Sequence, residues 1–268
     1  MIDSLANILG NIINFFYEIT NNYGLAIILF TILAKIILFP ISILVQKNSI
    51  RMVKVRPEIE ELKFKYSDDK EKFMDGQIEL FKKEKYKPSL GTIPLILQIP
   101  IILSLIKVIK NATFYITNLE HTYFIGIDLS IIPSLKEYII IPILVAISTI
   151  LLCFFQNRNN VLQKEETTYS KIITGTLTTI LTIYFVFLVP IGVGLYWTFG
   201  NILAIIQMYI LNYIYAPQKY IDYEKLSYWK NKNREKEIIR NVRKKDYKKF
   251  LKEENMRSCI FCRKRRLL

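Results

Sequence analysis

The stretch LAIILFTILAKIILFPISILVQ, residues 25–46, decides how this chain folds, because it has the length and composition of a membrane-spanning helix. About twenty apolar residues cross the ~30 Å hydrocarbon core of a bilayer. Lys35 interrupts the stretch near its middle, where a lysine costs about 2.5 to 3.5 kcal/mol on insertion scales. The polar flank at Gln46 lies ~16 Å further along the helix, beyond the reach of a lysine stem. Lys35 therefore faces protein or a water-filled cavity.

The whole chain has 268 residues, of which 51% are hydrophobic, and a net charge of +14. Such a combination requires apolar and charged runs to be segregated. Five runs are long enough to cross a bilayer, and they cover residues 24–45, 92–109, 138–155, 171–190 and 193–215. The sequence therefore predicts an all-α membrane protein with five transmembrane helices and with its termini on opposite sides.

The distribution of lysine and arginine predicts the orientation, because cytoplasmic flanks retain these residues. Residues 1–23 contain none, residues 46–91 contain twelve, and the tail 216–268 contains eighteen. The segment 156–171 contains three, including Lys164, whereas the connection 110–137 contains two. This alternation predicts the N-terminus outside and the C-terminus in the cytosol.

Two segments outside the spans have helical patterns. Residues 1–22 place apolar side chains every three or four residues, which predicts an amphipathic helix in the outer interface. A cleaved signal peptide is the alternative, and we reject it because a basic segment and a cleavage site are missing. Residues 46–91 repeat apolar residues at helical spacing on both sides of a polar break at 67–69. They predict a cytosolic helical hairpin; a solvated linker is the alternative.

Several spans carry polar side chains whose roles the sequence leaves open. Gln98 lies between Pro94 and Pro100, and it either pairs with carbonyls that the prolines free or lines the cavity of Lys35. Threonines at 174, 178 and 182 either bond back to their own helix or form a polar wall. Tyr196 and Trp197 open the last span, where aromatic residues usually anchor the interface.

Three cysteines, Cys153, Cys259 and Cys262, do not form a disulfide framework. The pair at 259 and 262 has C-x-x-C spacing, which fits a redox pair or half of a metal site. The only histidine, His121, lies in the outer connection, so two reduced thiols are the better interpretation.

The tail 216–268 has eighteen basic and seven acidic residues, a composition that attracts anionic lipid or the phosphates of RNA. Its RKRR run at 263–266 predicts an electrostatic arm and not a folded domain.

Taken together, these residues resemble the YidC-type membrane protein insertase family, in the five-span form common in Gram-positive bacteria. The first span matches the family pattern with Lys35 five residues before Pro40. The resemblance extends through RPEIEELKFKYSDDKEKF, KPSLGTIPLILQIPI, FIGIDLS and VPIGVGLYWTFGNILAIIQ. The family cation is normally arginine, and Thr92 and Lys87 also depart from the pattern. Lysine differs from arginine because it offers a point charge and can lose its proton when desolvated.

The resemblance implies an insertase and chaperone for nascent membrane proteins in the bacterial plasma membrane. Its five helices would enclose a hydrophilic groove that is open to the cytosol and the lipid. Lys35 would attract acidic client residues with of order 4 kcal/mol at ~4 Å and an effective dielectric near ~20. The substrate-binding residues implied are Lys35, Thr31, Gln98, Gln156, Tyr196, Trp197 and Asn201.

The implied partners are nascent membrane proteins, the ribosome through the basic tail, a Sec translocon and anionic lipids. We expect no cofactor, no metal, no small-molecule substrate and no enzymatic step. The alternative function is a small anion transporter or channel that uses Lys35. It is disfavoured because the spans show no inverted repeat and no acidic residue for ion coupling. An inert membrane anchor would leave Lys35 unexplained.

Overall fold

The computed structural model describes residues 2–160, 163 and 168–265, with 247–265 as helical backbone only. The fold is helical, which confirms the predicted all-α class. The helices are α1 (Ile2–Thr20), α2 (Tyr23–Lys65), α3 (Lys70–Lys83), α4 (Ile93–Lys110), α5 (Ala112–Tyr115), α6 (Ile140–Asn159), α7 (Thr168–Val186), α8 (Ile191–Ile214) and α9 (Tyr223–Arg265). Strands β1 (Tyr123–Phe124) and β2 (Ile127–Asp128) pair antiparallel, and 3₁₀ turns at Pro88–Thr92 and Pro217–Tyr220 precede α4 and α9.

The chain divides into two compact units. The first consists of Met1–Val53 and Lys87–Lys219, and the second of Lys54–Tyr86 and Tyr220–Leu268. The first unit therefore contains all the predicted spans, and the second contains most of the predicted hairpin, 46–91, and of the predicted tail, 216–268.

Four helices, α2, α4, α6 and α8, are long and apolar enough to cross a membrane. The predicted span 171–190 corresponds to α7, which is not among them, since Lys171 and six threonines make it more polar. It ends at Val186, before the predicted limit, because Pro190 has extended backbone and precedes α8.

The helix that contains the first predicted span, 24–45, continues without a break to Lys65, so α2 also forms the first helix of the predicted hairpin. No glycine or proline lies between Pro40 and Pro57 to stop it. The second arm, α3, begins after Asp69, whose side chain accepts a 3.1 Å hydrogen bond from the Lys72 N–H. Leu62 lies against Gly76, where an added Cβ would meet it at 3.1 Å, so the two arms are in contact.

In the second unit, α9 packs along the last turns of α2. The rings of Phe64 and Trp229 lie 5.6 Å apart, and Asn233 donates to the backbone carbonyl of Glu60 at 2.9 Å. Arg240 pairs with Asp68 at 3.1 Å. The start of the tail is therefore a helix that packs on α2, whereas the electrostatic arm at 263–266 stays a prediction. In the RKRR run, Arg266 lies outside the described residues.

Contacts between the helices of the first unit show that the long helices α2, α4, α6, α7 and α8 alternate in direction along the chain. Helix α8 runs parallel to α6, because Gly194 lies against Ile141 and Asn212 donates to the Asn159 carbonyl at 3.3 Å. Helix α7 runs antiparallel to α6, with its middle at Cys153 and its end at Gly194.

Helix α2 also runs parallel to α8. Ile27 lies against Gly192 near the start of α8, and Gln46 contacts Asn212 near its end. Helix α4 runs the opposite way, since Ile109 at its end also contacts Gly192.

The connection 111–139 covers one end of this helix set. Its Leu129 and Ile131 carbonyls each accept a 2.8 Å hydrogen bond, from the N–H groups of Gly192 and Ile191. They satisfy donors that the start of α8 otherwise leaves unpaired. Phe124 covers Gly24, where an added Cβ would overlap its ring at 2.1 Å. We call the helix halves nearest this connection the capped half and the other halves the loose half.

Buried residues are concentrated in the capped half. On α2 no apolar residue is buried between Ala34 and Val53. On α4 the buried residues begin at Ser104. On α6 it ends at Thr149, and on α8 it ends at Asn201 and returns only at Leu211. The apolar core of the first unit therefore lies in the capped half, and the loose half is held by few buried contacts.

Helix α1 belongs to this core. Ala6, Leu9 and Ile13 are buried, Asp3 forms an ion pair with Lys107, and the Ser104 hydroxyl donates to the Ile2 carbonyl at 3.3 Å. Its opposite side exposes apolar side chains, namely Ile8, Phe15 and Ile19. The helix therefore has one apolar face against α4 and another that is exposed, and its place in the outer interface stays a prediction.

Candidate functional site

Lys35 lies at the boundary between the capped and the loose half. It follows Ala34, the last buried apolar residue of this part of α2. The stem of Lys35 lies against α8 at Gly200, where an added Cβ would be 3.8 Å from Cε. This contact places the stem of Lys35 in the seam between α2 and α8.

The charge of Lys35 has no counter-ion in the described part of the chain. Its ammonium group forms no salt bridge there, and α4, α6, α7 and α8 contain no aspartate or glutamate. An intramembrane cation without a carboxylate is costly unless water or a ligand solvates it. The site therefore fits a transient anionic partner better than a permanent one.

Thr31 is buried one turn before Lys35. Its hydroxyl donates to the Ile27 carbonyl at 2.7 Å, within its own helix. The hydroxyl therefore bonds within its own helix, and contact of Thr31 with a substrate stays a prediction.

Gln98 pairs with Tyr196, and its role in lining a cavity with Lys35 stays a prediction. The amide Nε2 of Gln98 donates to the Tyr196 hydroxyl at 2.9 Å and does not reach a proline-freed carbonyl. Tyr196 is buried, with its ring 6.1 Å from that of Phe30. The pair therefore joins α4 to α8 beside the Lys35 seam, and Tyr196 is not an interfacial anchor.

Asn201 joins α8 to α6. It is buried, and its Nδ2 donates to the Ser148 hydroxyl at 3.1 Å and to the Thr149 hydroxyl at 3.0 Å. Trp197 is partly buried and packs against the core. Contact of either residue with a substrate stays a prediction, and the geometry gives Asn201 a fastening role.

Gln156 lies further into the loose half than the other predicted residues. It is partly buried on α6, seven residues after Thr149, which is about 10 Å along the helix. The structure therefore brings Lys35, Gly200 and the Gln98–Tyr196 pair to one level and leaves Gln156 closer to the end of the bundle.

Threonines of α7 bond back to their own helix. The hydroxyls of Thr178 and Thr182 each donate at 2.8 Å, to the carbonyls of Thr174 and Thr178. The hydroxyl hydrogens of Thr178 and Thr182 are therefore not available to a polar wall, and for these two residues that interpretation is wrong.

Two polar features of the loose half were not predicted from the sequence. Pro40 lacks the N–H that would pair with the Ile36 carbonyl, so α2 has a freed acceptor, as α4 has at Ile96 because of Pro100. Gln46 and Asn212 are hydrogen-bonded across the seam at 2.9 Å. The sequence contained a signal for this second feature, since each of the two apolar runs ends with an amide side chain, Gln46 in one and Asn212 in the other.

The metal-binding and thiol residue types that the sequence raised can be located only in part. The described residues contain no group of three histidine, cysteine, aspartate or glutamate side chains that could hold a metal ion. The side chains of Cys259 and Cys262, and Lys164, lie outside the described part of the chain.

Comparisons with known proteins match most of the chain. The model of a family described as 60Kd inner membrane protein matches residues 15–219. A membrane protein insertase YidC of Geotalea daltonii is 32% identical over 212 residues, covering 78% of this chain and 37% of that protein. Its namesake from Nitrobacter hamburgensis is 31% identical over 215 residues, covering 73% and 34%. The one from Methylobacillus flagellatus is 30% identical over 195 residues, covering 73% and 33%. The chain thus spans about a third of the length of these curated relatives.

Proposed function

Since the chain belongs to the 60Kd inner membrane protein family, we propose that it is a membrane protein insertase, the activity for which its YidC relatives are named. The family and the four long apolar helices support a multi-pass protein of a bacterial inner membrane. The clients would be nascent membrane proteins.

One observation carries this proposal, namely the difference in packing between the two halves. The capped half is closed by the connection 111–139 and by an apolar core, whereas the loose half has few buried residues. Lys35 lies where the first gives way to the second. This arrangement supports a groove that would open at the loose half and end at Lys35.

Helix α7 supplies the fifth span in this proposal. It lies antiparallel along α6, with its middle at Cys153 and its end at the capped half. The hydroxyls of Thr178, Thr179 and Thr182 donate within the helix, which lowers the cost of placing these side chains in a membrane. Five alternating spans would put the termini on opposite sides, and the distribution of basic residues supports an orientation with the loose half and the C-terminus in the cytosol.

In the proposed mechanism, a client's polar segment enters the groove from the cytosol while its apolar segment meets lipid. Lys35 attracts a client carboxylate, and water held by the freed carbonyls of Ile36 and Ile96 solvates both charges. The buried Gln98–Tyr196 pair and Trp197 would flank the passing chain. No covalent bond forms or breaks, so the proposed activity is not enzymatic.

The anion transporter or channel that the sequence also allowed gains no support from the family match. Lys35 has a role in the insertase that needs no solute.

Growth of a strain depleted of its other insertases tests the function. Lys35→Ala should reduce insertion of clients with acidic outer segments by at least about tenfold, the rate equivalent of ~1.4 kcal/mol of the attraction. Lys35→Arg should preserve it, because the charge remains. Lys136→Ala removes a positive charge from the exposed connection and serves as the matched control. Equal insertion by Lys35→Ala and the control would exclude the charge mechanism.

Proteoliposomes separate the insertase from the transporter. Vesicles that hold only the purified protein should insert a small single-span client without carrying solute. Solute flux without insertion would refute the proposed function.

The basic tail is the proposed ribosome contact, with anionic lipid and a Sec translocon as further proposed partners. Deleting residues 247–268 removes eight basic residues and keeps the packing of Trp229, Asn233 and Arg240 on α2. Ribosome co-sedimentation should fall at low salt and disappear sooner as salt is raised. Unchanged co-sedimentation would remove this partner.

A further inference from the structure

The seam between α2 and α8 is joined at both ends and loosely packed between them. Apolar contacts join it at the capped half, where Phe30 meets Tyr196. In the described residues, none is buried on α2 from Lys35 to Lys47 or on α8 from Ile202 to Ile210. Thirteen residues of helix extend about 20 Å, so this stretch is most of the depth of the loose half.

Amide side chains close the seam at its far end. Gln46 Nε2 donates to Asn212 Oδ1 at 2.9 Å and to the Tyr215 carbonyl at 3.0 Å. Asn212 Nδ2 donates in turn to the Asn159 carbonyl at 3.3 Å, at the end of α6. We call Gln46 and Asn212 the amide latch. It ties α2, α8 and α6 together through carbonyls that helix ends leave without a partner.

The latch differs from the other polar closure on α2. Asn48 is buried, and it pairs with both the N–H and the carbonyl of Lys87, at 3.0 and 2.8 Å. Gln46 and Asn212 are only partly buried, and each hydrogen bond of the latch joins neutral groups. Water or a peptide can therefore replace the partners of the latch at little net cost, whereas Asn48 holds the start of α4 firmly.

The position of the latch determines what passes it. Lys35 lies in the same seam, eleven residues along α2, and a segment that reaches Lys35 along the seam must part Gln46 from Asn212. A polypeptide backbone carries one amide donor and one carbonyl acceptor per residue, the same groups as the latch. The exchange conserves the number of hydrogen bonds.

We propose that Gln46 and Asn212 are the first binding site for a client at the mouth of the groove, where they release each other and pair with the client's extended backbone. The ligand is the peptide backbone itself, so the site is independent of client sequence and precedes the charge selection at Lys35. This inference rests on the proposed insertase function.

Substitution tests the exchange in proteoliposomes. Gln46→Leu with Asn212→Leu keeps apolar contact across the seam and removes the exchangeable groups. Insertion of a single-span client should slow by about fivefold, the rate equivalent of ~1 kcal/mol for one lost exchange. The swap Gln46→Asn with Asn212→Gln keeps both amides and should restore most of the rate. A leucine pair that inserts at the wild-type rate would overturn the proposal, as would a swap as slow as the leucine pair.

A tether tests whether the latch has to open. In a C153S, C259S, C262S background, Gln46→Cys and Asn212→Cys are joined by a short, reducible bis-methanethiosulfonate reagent. Insertion should fall about tenfold or more and return when a reductant cleaves the tether, because a tether blocks an opening that hydrogen bonds permit. Insertion at the same rate with the tether intact would overturn the proposal.

The chain offers a matched control tether. A Cβ at Gly175 would lie 3.9 Å from that of Cys153, within the range for a disulfide. Gly175→Cys in a C259S, C262S background should form a bond between α6 and α7 and leave insertion unchanged. Loss of insertion in this control as well would show that any tether blocks the protein, and would overturn the specific role of the latch. Failure of the untethered protein to insert would instead refute the proposed function.

Discussion

The two halves of the same helices differ in what holds them together. In the capped half, side chains such as Leu105, Val108 and Val145 are fully buried, and glycines let neighbouring helices approach closely. In the loose half of α4, Leu95 and Ile96 are 67% and 61% exposed, and polar side chains make the closing contacts. The comparison shows that close apolar packing is concentrated in the capped half, whereas the helices of the loose half can separate more easily.

A membrane gives this division a physical basis. Lipid tails are as apolar as leucine, so helices associate there through close packing and hydrogen bonds and not through a hydrophobic driving force. Small residues and interdigitated side chains can therefore fix the capped half while equally apolar sequence elsewhere stays loosely associated. Hydrophobicity alone does not distinguish the two halves, but packing does.

The largest expected effect comes from truncating one leucine in each half of α4. Leu105→Ala should lower the free energy of unfolding by about 2 kcal/mol or more, because it leaves a cavity in the core. Leu95→Ala, at an exposed position, should change it by less than about 0.5 kcal/mol. Denaturant unfolding in detergent measures both. Equal losses would remove the distinction between the halves.

A second pair of substitutions tests helix approach by adding a methyl group. At Gly194 an added Cβ would lie 2.8 Å from Ile141 Cγ2, so Gly194→Ala should destabilise by about 1 to 3 kcal/mol through overpacking. At Gly175 the nearest atom is 3.9 Å away, and Gly175→Ala should stabilise slightly through helix propensity, by up to ~1 kcal/mol. Melting temperatures of the two variants should shift in opposite directions, and a shift of the same sign would contradict this geometry.

Proline replacement sharpens the comparison from the loose half. Pro100→Ala should restore the hydrogen bond to the Ile96 carbonyl, adding about 1 kcal/mol of stability, and slow insertion because it removes a hydration site of the groove. Pro94 lies in the first turn of α4, where an N–H has no helical partner, so Pro94→Ala is the matched control. Melting temperature and liposome insertion measure the two effects. Pro100→Ala with faster insertion would contradict a role for the freed carbonyl.

The sequence predicted the helices of both halves but not the difference between them. Apolar runs located α2, α4, α6 and α8, and the anomaly of Lys35 pointed to the boundary that the structure shows. Periodicity does not report how closely helices approach, because that depends on glycines and side chains from distant segments, such as Gly200 against Lys35.

Helix ends and the partners of polar residues were the least predictable. The apolar pattern of α1 does not identify the partners of the helix, which include Lys107 and Ser104 of α4. Gln98 is hydrogen-bonded to Tyr196, ninety-eight residues away, and Trp229 and Lys236 of the tail contact the ring of Phe64. Such pairings follow from tertiary structure, which a local pattern does not contain.

The smallest expected effect concerns the connection that closes the capped half. Burial opposes ionisation of Asp128, but hydrogen bonds from Thr122 and from the Ser130 N–H and hydroxyl outweigh it, so the pKa of Asp128 lies below its usual range. A carboxyl with a lowered folded-state pKa adds stability that is present above its unfolded pKa of about 4, and that is lost as pH falls through the folded value. Asp128→Asn keeps the acceptor and removes the charge, so it should lower stability at pH 7 by less than about 1 kcal/mol. The gap in melting temperature between wild type and variant should close as pH falls below about 4. Glu137→Gln, at an exposed carboxyl of the same connection, is the matched control. A gap that stays constant down to pH ~3 would mean that the Asp128 charge does not hold the connection in place, and that the closure depends on the Leu129 and Ile131 carbonyls instead.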